Sequence, residues 1–279
     1  MSRDLTEQEI VAFRRDGVVH VTGAMSEQWL QKIDGVVDQQ LVDPSEWSND
    51  GNPGKDQDRM FTDRYLWKTN STINDYVQHS GCAKLAGQAM GSESIRFYFD
   101  HIFVKEPNTK AATPWHQDAP YWPFKGRQIC SVWVALTDAT IAGSAMEFVR
   151  GSHLDNKYYM PELFNARDDH PSAWQLEGEG EPVPDIEAKR GDYDIVGWDV
   201  QRGDALVFTA WVLHGAQGNV SADQRRAAIS TRWLGDDVVW FPHVGADPTV
   251  TEKDLSISAG DRPEDDDFFP LVWQSGSPQ

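Results

Sequence analysis

The chain has only two cysteines in 279 residues, Cys82 and Cys130, too few for a disulfide scaffold. It has no apolar run near the roughly 20 residues that a membrane-spanning helix needs. Its first residues, MSRDLTEQEI, contain no apolar stretch of the secretory type, so a cytoplasmic location is expected. Basic residues are scarce as well. Lys and Arg number 25 against 44 Asp and Glu, a formal net charge of -19. A surface of that sign repels nucleic-acid phosphates and anionic lipid, so the expected partner is a small molecule rather than nucleic acid or membrane. An anionic ligand would need a local basic site inside this acidic envelope. Internal repeats and interdomain linkers are also missing, so one domain over residues 1–279 is expected.

What is present begins with helices. Thr6-Glu7-Gln8-Glu9 has the form of a capping box, and Gly17 is placed to end the helix it opens. Val18, Val19 and Val21 suggest a strand. Ser26 is placed to cap a second helix to about Leu41, with Leu30, Ile33, Val36 and Val37 inward. Residues 43–60 are polar and rich in Gly, Pro and Asp and read as a loop, and 72–90 return to helical periodicity. From residue 95 the pattern becomes β-rich: IRFYFDHIFVKE, QICSVWVALTDA, SAMEFVRGSH, DALVFTAWVLH and RAAISTRWL. Helices beside a run of antiparallel strands give an α+β class, and the strand run suits a jelly roll. The expected organisation is a mainly helical brace (1–94), a jelly-roll core (95–240) with a lid insertion (154–193), and a tail (241–279) that docks on the core.

The chemistry centres on TPWHQDAPYWP. In extended chain, residues i and i+2 point the same way, so His116 and Asp118 can face one ion while Gln117 turns away. His214, after the apolar strand ending at Phe208 and before Gly215, is the best third ligand. Two histidines and one carboxylate leave coordination positions open, the set typical of non-heme Fe(II) oxygenases. His153, in GSH, suits a turn rather than a ligand. His101, Phe103 and Lys105 share one strand face and are placed to line a pocket. Arg225 and Arg226 fall on opposite faces of the last long strand, and the one that points inward requires an anion. Tyr121, Trp122, Phe124, Trp198 and Trp211 are candidate substrate walls, suited to an apolar or quaternary-ammonium substrate.

Taken in order, LTEQEIVAFRRDGVVHV, FDHIFVKEPNTKAATPWHQDAPYWPF, QICSVWVALTDA, GSAMEFVRGSH, RGDALVFTAWVLHGAQGN and RRAAISTRW resemble the phytanoyl-CoA dioxygenase-like family of Fe(II)/2-oxoglutarate oxygenases. The resemblance covers most of the chain. It implies a double-stranded β-helix with bracing helices, and iron(II), 2-oxoglutarate and O2 as cofactor and cosubstrates. The implied reaction is hydroxylation of a C–H bond with release of succinate and CO2. By resemblance His116, Asp118 and His214 match the iron ligands. Arg225 matches the arginine that binds the distal carboxylate of 2-oxoglutarate, with Arg226 one residue away. Trp133 lies near a tryptophan that flanks the cosubstrate, His101 at a cosubstrate-lining position, and Lys68 where an upstream lysine contact lies. Ala216 stands where the family often has Ser. Related halogenases carry a small residue at the carboxylate position, so Asp118 favours hydroxylation. The net charge weighs against a CoA thioester as substrate. Two other readings stay open: a jelly-roll metal enzyme that does not use 2-oxoglutarate, and a non-catalytic small-ligand-binding homologue.

Overall fold

Thr6 and Glu9 close both halves of a capping box on α1 (Glu7–Asp16), and Gly17, at φ 82°, ends it in the left-handed conformation that suits glycine. The chain is described here by a computed structural model, over residues 3–161 and 180–276. After α1 come β1 (Val18–Val21), α2 (Glu27–Val42), β2 (Asn49–Gly51), β3 (Met60–Arg64), α3 (Ser71–His79) and α4 (Cys82–Met90). The strands β4 (Ser94–Lys105), β5 (Thr113–His116), β6 (Phe124–Lys125), β7 (Ile129–Ala135) and β8 (Met146–Val149) follow. The remainder are β9 (Ile195–Gly197), β10 (Ala205–Thr209), β11 (His214–Ala216), β12 (Arg226–Leu234), β13 (Val239–Trp240) and β14 (Leu271–Gln274).

The strands form an eight-stranded sheet, ordered β1-β10-β7-β12-β4-β3-β2 with β14 also on β4, and a four-stranded sheet, β5-β11-β8-β9. Strands β6 and β13 make a separate pair. The large sheet uses its period of two to build two cores. Val132, Val134, Ala205, Val207, Ala227, Ile229 and Trp233 face the helices, where they meet Leu30, Ile33, Ile73 and Leu85. Trp133, Ala135, Leu206, Phe208 and Ala228 face the small sheet and meet Met146, Phe148 and Ala216. Two antiparallel sheets packed face to face, with helices bracing one of them, are the double-stranded β-helix expected from the strand run.

Local departures have local causes. The stretch 43–60 is not all loop: Asn49–Gly51 pairs with Met60–Arg64, a hairpin arm whose polar residues carry little strand signal. The helical stretch 72–90 is two helices, because Gly81 at φ 87° breaks it. DALVFTAWVLH is split between the two sheets, as β10 and β11. Strand β14 extends the large sheet at β4, and Phe269 beside it is fully buried. Of the lid expected over 154–193, residues 162–179 lie outside the described residues. No helix among the described residues is long and apolar enough to cross a membrane.

Candidate active site

The small sheet brings the three expected ligands together. β11 pairs with β5 so that His214 stands opposite His116, and the chain leaving β5 reaches Asp118 two residues on. Their ligand atoms all lie within 4.8 Å of one another, and all three residues are buried. His116 Nε2 is 3.4 Å and His214 Nε2 3.7 Å from Asp118 Oδ1. Each imidazole is oriented from behind. His116 Nδ1 lies 2.8 Å from the Pro114 carbonyl, and His214 Nδ1 3.0 Å from that of Val212. An Nδ1–H donated to a carbonyl leaves Nε2 as the lone-pair nitrogen, the tautomer a metal ligand needs. The second oxygen of the aspartate, Oδ2, accepts from Ser131 Oγ at 3.1 Å, which leaves Oδ1 on the histidine side.

The electrostatics suit a cation. Burial alone would push the Asp118 carboxyl up, but His214, the His116 hydrogen bond and Arg232 hold it well below the usual carboxylate range. Burial and the neighbouring His116 push His214 down to about 4, so it is neutral at physiological pH. The donor set is one carboxylate and two imidazoles converging on one buried point, which fits a borderline divalent metal such as iron(II). Gln117 does turn away. Its side chain donates to the Trp211 and Lys157 carbonyls and accepts from Tyr159 N–H, tying the residues around the site together.

The arginine pair divides between the two faces of β12. Arg225 faces outward, where it pairs with buried Glu106 at 2.7 Å and reaches Asp38 at 3.4 Å. Arg226 begins β12 on the inner face, 4 % exposed. Its guanidinium lies 5.8 Å from the Trp133 ring, and Nε donates to the Ser144 carbonyl at 3.1 Å. Strand parity is the reason: the inner set is Arg226, Ala228, Ser230 and Arg232. Lys105 stands opposite Arg226 in register on β4, 1 % exposed, and its Nζ donates to the Gln217 carbonyl at 2.8 Å. Burial and Arg226 push the Lys105 ammonium down to about 6, and burial pushes Arg226 down to about 10. Neither makes an ion pair with a carboxylate among the described residues. Charging both side by side is costly without an anion.

The other candidates separate in the same way. His101 is on the inner face, opposite Ser230, with its ring 4.0 Å from Phe103. Burial and then Arg232 push its imidazole well below the ordinary value, so it is neutral. Trp133 lies between the sheets. The rings of Tyr121 and His116 meet edge to face, and Trp122 sits 5.9 Å from the Arg232 guanidinium. Phe124 instead belongs to the tail-side core, with Tyr98, Trp240 and Phe269. Trp198 packs against His20 and Phe148, one layer behind His214. Trp211 turns its indole to the Gly126 carbonyl and Arg127. Lys68 is exposed over the Phe268 ring, near acidic residues of the tail, and does not enter the sheet interior. It ends the short 3-10 turn Leu66–Lys68 that follows β3. Three residues beside the site were given no role from the sequence: Ser131, Ser144 and Arg232. Only Arg232 carried a signal, since it shares the strand parity of Arg226.

The phytanoyl-CoA dioxygenase (PhyH) family model matches residues 13–227. The multifunctional dioxygenase prhA of Penicillium brasilianum is 25% identical over 237 residues, which span 80% of this chain and 70% of that protein. Among solved structures, the non-heme alpha-ketoglutarate-dependent epimerase SnoN from nogalamycin biosynthesis superposes with a TM-score of 0.70 at 21% identity, covering 96% of this chain and 98% of that one. The carbocyclase SnoK of the same biosynthesis gives 0.70 at 24%, covering 96% and 97%.

Proposed function

Since the chain belongs to the phytanoyl-CoA dioxygenase family, a family of Fe(II)- and 2-oxoglutarate-dependent dioxygenases, we propose that it hydroxylates an unactivated C–H bond of a small-molecule substrate, with release of succinate and CO2. The observation that carries the reading is one interior holding both a convergent His116-Asp118-His214 set and two buried basic side chains, Arg226 and Lys105, with no carboxylate partner among the described residues. His116 Nε2, Asp118 Oδ1 and His214 Nε2 hold the iron. Bound iron with 2-oxoglutarate supplies the oxidising chemistry, while the protein supplies orientation and exclusion of side reactions.

In this reading Arg226, rather than Arg225, anchors the distal carboxylate of 2-oxoglutarate, with Lys105 as its second donor. Guanidinium suits a carboxylate through paired, charge-assisted hydrogen bonds. Ser144, which touches Arg226 through both its carbonyl and its hydroxyl, fixes the guanidinium in place, a polar support that Ala216 does not supply. Trp133 flanks the cosubstrate and His101 lines its other side as a neutral ring. Tyr121 and Trp122 wall the substrate side. Asp118 fills the position that a halide would need, which favours hydroxylation over halogenation. Brace, core and tail act together as one catalytic domain.

The test is a substrate panel run with Fe(II), 2-oxoglutarate and ¹⁸O2. Substrate-dependent succinate with one ¹⁸O atom in the product is expected, and Asp118→Ala should abolish both. Succinate without ¹⁸O in the product would replace hydroxylation by another oxidation. Full activity in Asp118→Ala would remove the triad.

A further inference from the structure

Six residues beyond Arg226 on the same face of β12 lies a second buried arginine, Arg232, 5 % exposed. Its surroundings differ from those of Arg226. Its partner in register on β7 is Ser131, the residue whose hydroxyl holds Asp118. On the other side, the β4 register slips. Thr231 pairs with Asp100 and Trp233 with Phe97, so Arg232 faces the bulged pair Tyr98 and Phe99. Bulges of this kind re-aim side chains and recur beside active sites. The guanidinium lies 4.7 Å from the Phe99 ring, 5.7 Å from Phe103 and 5.9 Å from Trp122.

Arg232 is poorly satisfied. One nitrogen donates to the Ser230 carbonyl at 3.0 Å, but Nε is buried with no hydrogen-bond partner, and so is the Ser230 hydroxyl beside it. Among the described residues no carboxylate pairs with Arg232 within ion-pair distance. Its acidic neighbours act only through space: Asp118, then Asp100. A metal on Asp118 would draw off that compensation. His101 next to it is neutral, and Arg64 nearby is paired with Asp247 at 3.1 Å. A desolvated guanidinium ringed by aromatic faces, with open donors beside a metal triad, is a receptor for an oxygen anion attached to an apolar body.

We propose that Arg232 is a specificity-determining residue that binds a carboxylate group of the substrate, on the side of the metal away from Arg226. It rests on the dioxygenase reading above. Along β12 the two arginines are separated by six residues, about 20 Å of strand at the usual rise. Each arginine therefore has its own sector of the interior. The substrate class is an aromatic or alicyclic carboxylic acid, its ring among Phe99, Phe103 and Trp122. Metal-proximal oxygens of 2-oxoglutarate offer the same chemistry, and the test separates the two sources.

The probes are 3-phenylpropanoate and its neutral carboxamide, titrated by calorimetry into full-length protein loaded with Mn(II) and 2-oxoglutarate. 2-Oxoglutarate alone is titrated into the Mn(II) protein in parallel. In the wild type the acid should bind about tenfold or more tightly than the amide, as charge-assisted hydrogen bonds require. Arg232→Gln should erase that preference and leave the 2-oxoglutarate Kd within about threefold, whereas Arg226→Gln should weaken 2-oxoglutarate. Arg232→Lys, which keeps the charge, should keep part of the preference and serves if the Gln variant does not fold. Equal binding of acid and amide by the wild type, or a preference that survives Arg232→Gln, overturns the proposal. A 2-oxoglutarate Kd weakened by Arg232→Gln as much as by Arg226→Gln reassigns the residue to the cosubstrate. Failure of the wild type to bind 2-oxoglutarate at all would instead count against the dioxygenase reading.

Discussion

Cosubstrate binding should carry a proton with it. Lys105 is buried against Arg226, with Met60 as its other register neighbour and no carboxylate partner among the described residues, and its ammonium is pushed down to about 6. At pH 7 about one molecule in ten then carries that charge before 2-oxoglutarate binds, from the one-unit gap. A carboxylate placed between Lys105 and Arg226 favours the charged form and restores it. Arg226 itself stays charged at pH 7, because burial takes it down only to about 10. Binding to the Mn(II)-loaded protein should therefore take up about 0.9 proton at pH 7 and about 0.2 at pH 5.5. Affinity should fall by up to tenfold per pH unit above about 6, until the pH reaches the lysine value in the complex. Calorimetry in buffers of different ionisation enthalpy reads the uptake as a slope. Lys105→Met should remove it. Stability follows the same sign. Between about 6 and the ordinary lysine value the unfolded chain binds a proton that the folded one does not, so this group makes stability rise with pH across that window. Lys105→Met should flatten that slope. An uptake near zero in the wild type, or one that persists in Lys105→Met, would show that Lys105 does not take up the proton.

Two further outcomes follow from the same geometry. Arg226→Gln should raise the 2-oxoglutarate Kd by at least tenfold, while Arg225→Gln should leave it nearly unchanged and lower Tm instead. Its partner Glu106 is buried but Arg225 is about a third exposed, so the cost should be on the order of 1–2 kcal/mol after allowance for screening. A reversed pattern would return the anchor to Arg225. Ser131→Ala removes the hydroxyl that fixes Asp118 Oδ2, and Mn(II) affinity measured by calorimetry should fall by about tenfold. An unchanged metal Kd would show that the aspartate orients itself without it.

The triad was legible because its logic is local. His116 and Asp118 need only the period of an extended chain, and His214 needs only a strand that ends beside it. The helices were legible from caps, as at Thr6 and Gly17. The arginine pair was not settled by spacing, because inner and outer parity on RRAAISTRW cannot be told from one position. Ala and Ile occupy one face and Ala and Ser the other. The signal available was the pairing of Arg226 with Arg232 on one parity, set against Ile229 and Trp233 on the other. Lys105 was read on the correct face with His101 and Phe103, but its neighbour across the sheet was hidden, since strand order is a tertiary fact. Phe124, Trp198 and Trp211 illustrate the reverse limit. An aromatic residue near a motif has the same composition whether it lines a pocket, fills the core or holds a rim, and only packing separates the three.

On this proposal His116, Asp118 and His214 bind iron(II) in a form that 2-oxoglutarate chelates. An anaerobic titration of the full chain with Fe(II) and then 2-oxoglutarate tests it most directly. The expected result is a visible metal-to-ligand charge-transfer band that saturates at one equivalent of iron and is lost in His214→Ala. A wild-type protein that binds both yet shows no band, or a band that survives the loss of His116 and His214 together, would contradict it.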